Sequence, residues 1–90
     1  MEINREEFFY YLNREYKKLE LIFKNIRFLD NRFEDFLISY YKDLKYFYEK
    51  KDFVKAFELE NYIWGILDTL INLKLIEVPE EYKKWFKLFI

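Results

Sequence analysis

Cysteine and histidine are both absent from this chain of 90 residues. Without cysteine no disulfide framework can form, which fits a reducing compartment. Zinc, haem and iron–sulfur centres also lose their ordinary ligands when both residue types are missing. Because a glycine-rich phosphate loop is absent as well, the sequence predicts no cofactor, no bound metal, no nucleotide hydrolysis and no enzyme activity.

Glycine and proline occur only once each. So few turn-forming residues leave little room for tight turns, and we therefore expect neither strands nor hairpins. The longest apolar stretch is interrupted by Asp68 and Lys74, so no run approaches the roughly 20 residues of a membrane span. The charged, acidic N-terminal residues are unlike a signal peptide. These features predict a cytoplasmic protein that does not bind membranes.

Aromatic residues make up 24% of the chain and charged residues 37%. Abundant aromatic side chains argue against disorder, which requires low hydrophobicity. The formal net charge is only −1, which does not favour a general phosphate-binding surface. Many lysines and glutamates without cysteine are also typical of thermophilic proteins. A chain of this length forms one domain, residues 1–90.

Apolar residues recur at helical spacing in three long segments. The first begins after Asn4, a good N-cap, and continues to Ile26. The second covers residues 33–48, after a break at residues 29–32 where aspartate and asparagine favour a turn. The third is capped by Asp52 and continues to about Leu73.

A short fourth helix is predicted to start at Pro79, which suits the first turn of a helix. Its apolar side chains would follow at positions i, i+3, i+4 and i+7, in the order Tyr82, Trp85, Phe86 and Phe89. We therefore expect an all-α fold, a three-helix bundle in up-down-up order with this short helix packed across it.

Residues 40–78 carry a spaced set of aromatic, small and acidic residues across two predicted helices. The set comprises Tyr40, Tyr41, Asp43, Tyr46 and Phe47, then Ala56, Phe57, Glu58, Tyr62, Gly65, Leu67 and Asp68. This pattern resembles the archaeal family catalogued as domain of unknown function 357. The resemblance implies a compact helical bundle and implies no activity. The chain departs from the family at Lys51 and Lys74, where the family has glycine.

The segment from Tyr46 to Ala56 is also similar to small helical nucleotide-binding and ribonuclease domains. Both have a tyrosine–phenylalanine pair followed by an aspartate–phenylalanine turn and an alanine. The catalytic form of those domains depends on a motif of arginine followed by histidine. Because this chain has no histidine, the similarity implies binding without nuclease activity.

Gly65 is the one glycine, and it lies inside the third predicted helix, where glycine costs about 1 kcal/mol relative to alanine. It lies away from the main apolar face, so the bundle core does not explain it. We interpret Gly65 as an interaction notch shared with Asn61, Asp68 and Asn72. Trp85 or Phe86 of the same chain would fill it, or a partner chain or ligand would. Gly65→Leu is then expected to lower stability or disrupt assembly.

Two acidic residues of the third helix lie close to its apolar face. We expect Glu60 to be buried and bonded to a tyrosine hydroxyl or a basic side chain, since a buried carboxylate needs a partner or a raised pKa. Asp68 lies at the edge of the same face. A catalytic carboxylate pair is the alternative, but no cleft or orienting group is visible in the sequence.

The first helix has apolar residues on its back as well as on its main face. Tyr10, Leu21 and Phe28 form this second set, and we expect them to form an apolar interface together with Trp85, Phe86 and Phe89. A helix that is apolar on two sides is usually covered twice. Either the C-terminal helix covers this surface, or a second copy does so in a homodimer.

Lysines cluster where the second helix meets the third, at Lys50, Lys51 and Lys55. This corner is the best candidate for contact with nucleic acid, although a solvated, ion-paired surface explains most of the other lysines. Two functions remain open at this point. One is a non-enzymatic protein-interaction module that self-associates, and the other is a nucleotide- or RNA-binding helical domain.

Overall fold

The computed structural model describes residues 4–86, and most of them are helical. Three long α-helices follow one another: α1 (Arg5–Asn25), α2 (Glu34–Glu49) and α3 (Phe53–Asn72). A 3-10 turn (Asn31–Phe33) precedes α2, and a second 3-10 helix (Glu80–Trp85) follows α3. The predicted all-α fold is confirmed, and each long helix lies within two residues of its predicted bounds.

Side-chain caps fix where the helices begin. Asn4 Oδ1 accepts a hydrogen bond from the amide three residues later at 3.1 Å, and Asp52 caps α3 in the same way at 3.3 Å. Asp30 accepts from the Arg32 amide at 3.0 Å and also forms an ion pair with the Arg32 side chain. The predicted break at residues 29–32 is therefore confirmed, because these bonds satisfy amides that no helix can satisfy.

The core of the bundle is built mainly from aliphatic side chains. Of the 22 aromatic residues in the sequence, only two of those described, Tyr16 and Phe86, are buried. The other rings surround the core and are partly or largely exposed. The aliphatic side chains with no exposed surface among the described residues are Leu12, Leu19, Ile22, Leu37, Leu44, Ala56, Ile63 and Leu67.

Ring contacts show how the helices run past one another. Along α1, Tyr16 stacks on Tyr48 of α2 at 3.8 Å between centroids, and Phe23 stacks on Tyr41 at 4.2 Å. Residue numbers rise along α1 as they fall along α2, so these two helices run in opposite directions. Face-to-face stacking at the edge of the core excludes water from both ring faces.

A short antiparallel pairing of two segments departs from the prediction that no strands form. Strand β1 (Arg27–Phe28) pairs with strand β2 (Ile76–Glu77), and an ion pair of 3.0 Å joins Arg27 to Glu77. The pairing occurs because the segment that follows α1 and the segment that follows the turn at Lys74 lie side by side. Two-residue strands are too short for an alternating pattern to reveal in a sequence.

The C-terminal segment forms a 3-10 helix over Glu80–Trp85 in place of the predicted α-helix. In a 3-10 helix the side chains at i and i+3 lie directly above each other. Tyr82 and Trp85 stack accordingly, with centroids 4.8 Å apart and planes 8° apart. Phe86 then leaves the helix in an extended conformation and is buried. Phe89 lies outside the described residues.

Lys51 and Lys74 have left-handed backbone conformations, with φ of 64° and 61°. Each lysine donates to the carbonyl three residues back at 3.1 Å, and the residue after it donates to the carbonyl five residues back at 2.9 Å. This pattern is the Schellman motif, which ends a helix and normally uses glycine. Lysine therefore keeps the turn geometry here despite the steric cost to its Cβ.

Replacing Lys51 by glycine is expected to raise the free energy of unfolding by about 1 kcal/mol. Relief of the left-handed strain is offset in part by the greater freedom of glycine in the unfolded chain. Lys50→Gly is the matched control, because Lys50 has a right-handed conformation with φ of −77° and should become less stable. Urea unfolding of both variants measures the difference. A loss of stability in Lys51→Gly would contradict the account of the turn.

Candidate functional site

An open groove of about 520 Å³ lies between α2 and α3, with Gly65 on one wall. Phe33 and Phe36 contribute the wall on the side of α2, and Tyr62 and Ile66 contribute most of the apolar surface of α3. Tyr62 is 53% exposed and Phe36 is 40% exposed, so large rings border the groove without being covered. The remaining lining residues are Asn61, Thr69 and Leu70.

Gly65 keeps this groove open. A Cβ atom built at Gly65 meets nothing within 4 Å among the described residues outside its own stretch of helix. The prediction that Trp85 or Phe86 rests on Gly65 is wrong, because the Phe86 ring packs edge-on against Trp64, with centroids 5.5 Å apart. Neighbouring residues of an α-helix point about 100° apart, so Trp64 and Gly65 face different surroundings. The reason to expect destabilisation by Gly65→Leu is thereby removed.

Short polar side chains on the outer face of α3 bond to the backbone of their own helix. The Asn61 and Asn72 side-chain amides each donate to the carbonyl four residues back at 2.9 Å, and the Thr69 hydroxyl donates to the Gly65 carbonyl at 2.9 Å. Bonded in this way, these side chains extend little beyond the helix. Of the predicted notch, Asn61 and Gly65 line the groove, whereas Asp68 and Asn72 lie outside its lining.

The predicted apolar interface does not form one surface. Tyr10 and Leu21 are exposed on one side of α1, but Arg14 and Lys17 lie between them on that side. Phe28 packs against the core next to β2, and Phe86 is buried on Trp64. Trp85 is half-buried, with the Lys18 ammonium 5.4 Å from its ring.

The three lysines of the predicted nucleic-acid contact do lie together at the α2–α3 turn. Two of the three ammonium groups lie close to aromatic rings of the same chain. The Lys50 ammonium lies 5.7 Å from the Tyr46 ring, and the Lys55 ammonium lies 5.0 Å from the Phe47 ring. Lys51 occupies the left-handed position of the turn. Contact with nucleic acid at this corner stays a prediction that the geometry does not strengthen.

Sequence reasoning missed the α2 wall of the groove. Neither Phe33 nor Phe36 is among the site residues that the sequence predicts. A signal did exist, because Phe36 and Tyr40 on α2 and Tyr62 and Ile66 on α3 are pairs at i and i+4. Such pairs lie on one side of a helix. Which side faces the neighbouring helix depends on how the helices rotate when the aliphatic core packs.

Glu60 is the one charged side chain buried among the described residues, with 1% of its surface exposed. Its burial was predicted correctly. The predicted bond is not made by its Oε2 atom, which has no hydrogen-bond partner within residues 4–86, and the Tyr48 hydroxyl donates instead to Asn13 on α1. Burial, with a further contribution from the Glu15 carboxylate, raises the pKa of Glu60 from its ordinary value of 4.5 to about 8.

The surroundings of Glu60 also affect the pKa of Tyr48. Burial raises the pKa of Tyr48, and the nearby Glu60 and Glu20 carboxylates add to the shift. Trp64 lies one helical turn beyond Glu60, and its indole N–H is also buried without a hydrogen-bond partner. Because Glu60 is protonated, the helices around it pack together without burying a charge.

No family model, curated protein or solved structure matches this chain. The resemblance to family 357 therefore remains a hypothesis supported by the residues quoted above alone. Within residues 4–86, no three acidic side chains cluster closely enough to hold a metal ion. None of the described helices is long and apolar enough to cross a bilayer.

The raised pKa of Glu60 predicts that stability depends on pH. The folded chain holds a proton that the unfolded chain releases above pH 4.5, so the stability that Glu60 contributes is fully present below pH 4.5 and declines as pH rises towards 8. The expected slope is about −1.4 kcal/mol for each pH unit between these values. Chemical unfolding measured from pH 4 to pH 9 gives this slope directly.

Glu60→Gln should remove that slope, because an amide resembles the protonated acid and does not ionise. At pH 8 the variant should be more stable than the natural chain by on the order of 4 kcal/mol. Glu81→Gln is the control, since Glu81 is exposed and its loss should leave the slope unchanged. Equal slopes in the natural chain and in Glu60→Gln would show that Glu60 is ionised in the folded protein.

Proposed function

We propose that this chain is a non-enzymatic protein-interaction module that binds its partner in the groove between α2 and α3. The observation that carries the proposal is the uncovered apolar wall around Gly65, where Tyr62 and Phe36 expose large parts of their rings. Burying such rings against a partner would contribute favourably to binding. The absence of cysteine supports a cytoplasmic setting for this function.

The helix-propensity cost of Gly65 supports the same proposal. Glycine inside a helix costs about 1 kcal/mol relative to alanine, and no described side chain fills the space it leaves. The fold itself therefore gains nothing from the missing side chain. Close approach of a partner's backbone or ring does gain from it, because a Cβ at this position would protrude into the groove.

A helical segment is the form of partner that suits an elongated apolar groove between two helices. Amphipathic helices bind such grooves through apolar residues at i, i+3, i+4 and i+7. A second copy of this chain is one candidate for supplying the segment. Light scattering over a range of concentrations decides this point: dimers that are lost in Gly65→Leu assign the groove to a second copy, and a monomer at every concentration excludes a second copy.

Gly65→Leu is expected to raise the stability of the fold and to weaken peptide binding. Its free energy of unfolding should rise by about 0.5–1 kcal/mol, because leucine has the higher helix propensity and its Cβ has no atom within 4 Å among the described residues. Helical peptides selected from a display library on the natural chain should bind Gly65→Leu at least roughly 10-fold more weakly, because the leucine blocks the groove. Urea unfolding and fluorescence anisotropy measure the two effects.

Asn72→Leu is the matched control for the binding measurement. Asn72 is exposed on the same side of α3, two turns beyond Gly65, and lies outside the groove lining. Peptide affinity should be unchanged in this variant, and amide shifts in NMR spectra should map the peptide to residues around Tyr62. Peptides that bind Gly65→Leu as well as the natural chain, or that map to another surface, would contradict the proposed function.

A further inference from the structure

A smaller cleft continues from one end of the groove. It has a volume of about 310 Å³ and is lined by Tyr40, Glu58, Leu59 and Tyr62, and it shares Tyr62 with the groove. The Tyr40 and Tyr62 rings lie 5.0 Å apart between centroids, with their planes tilted by 54°. The two rings therefore form a corner that presents aromatic faces, with a carboxylate beside them.

Three of the six exposed rings among the described residues lie close to a cation of the same chain. The Arg14 guanidinium lies 4.6 Å from the Tyr11 ring and 5.8 Å from the Tyr10 ring, and the Lys50 ammonium lies 5.7 Å from the Tyr46 ring. Between residues 4 and 86, no lysine or arginine lies over Tyr40 or Tyr62. This corner is thus an aromatic site of the kind that cations occupy elsewhere on the same surface.

The one charged residue in the lining of the cleft is acidic. Glu58 is exposed and forms no ion pair with a described residue, and the same holds for Asp43, one turn from Tyr40 on α2. The neighbouring Tyr62 hydroxyl raises the pKa of Tyr40, and the Asp43 charge contributes further in the same direction. No lysine or arginine lies on the chain between Lys55 and Lys74, and none lines the groove or the cleft.

We propose that Tyr40, Tyr62 and Glu58 form a binding site for an arginine or lysine side chain of the partner. The proposal rests on the proposed function, because the partner's apolar residues would lie in the groove while its cation enters the cleft. The aromatic faces attract the cation, and the carboxylate pairs with it. An acidic, aromatic rim of this kind selects a basic amphipathic helix and repels the phosphates of a nucleic acid.

The test uses two synthetic amphipathic peptides of about 15 residues with the same leucine stripe. One peptide has arginine on the flank of the stripe, and the other has citrulline, which has the same shape without the charge. Both peptides bury the same apolar side chains, so the affinity of the citrulline peptide reports binding in the groove. The ratio of the two affinities reports the contribution of the cation site. The arginine peptide should bind the natural chain about 5- to 30-fold more tightly, by fluorescence anisotropy.

Variants of Tyr62 and Glu58 test whether these residues produce the difference in affinity between the two peptides. Tyr62→Leu keeps an apolar side chain but removes the ring, and Glu58→Gln removes the charge, so each should bring the ratio close to one. Tyr62→Phe keeps the ring face and should retain a ratio well above one. Tyr46→Leu is the matched control, because the Tyr46 ring is exposed but already contacts Lys50, and the ratio should not change.

The outcomes separate the two proposals. Equal binding of both peptides to the natural chain, lost in Gly65→Leu, would overturn the cation site and leave the groove as the interaction surface. A charge preference that persists unchanged in Tyr62→Leu and Glu58→Gln would also overturn the site, because the preference would then come from the general surface. Failure of both peptides to bind would contradict the groove and the site together.

Discussion

Close packing of aliphatic side chains at the centre of the bundle is the constraint on which the rest of this structure depends. Three helices meet around leucine and isoleucine residues that have no exposed surface. A core of this size cannot also hold more than 20 aromatic rings, so nearly all of the rings surround it. The rings then stack on one another or lie under lysine and arginine side chains, which shield their faces from water.

The groove is a direct result of this arrangement. Around most of the bundle, a second ring or a long basic side chain covers each aromatic face. On the outer side of α2 and α3, Phe36, Tyr40 and Tyr62 contact other rings, but no described lysine or arginine lies over them. The reason is that α3 has no basic residue after Lys55, and Gly65 adds no side chain there. An interaction surface on this protein is therefore defined by what its own side chains leave uncovered, and the aliphatic core is not involved in it.

Much of the fold could be predicted from the sequence because its signals are local. Asn4 and Asp52 cap helices through bonds that span three residues, and helical spacing identifies the leucine core. The β1–β2 pairing could not be predicted, since it joins segments about 50 residues apart that are each two residues long. The lining of the groove could not be predicted either, because residues such as Phe36 reach it only through the relative rotation of two packed helices.

The protonated state of Glu60 also alters the charge of the whole molecule. The formal net charge of −1 at pH 7 counts every glutamate as ionised. With the pKa of Glu60 at about 8, the folded protein instead has a net charge close to zero at pH 7. Long-range repulsion between molecules is weakest near zero net charge, so their tendency to associate is greatest there. A carboxyl group sealed inside the bundle thus affects how closely two copies of the protein approach.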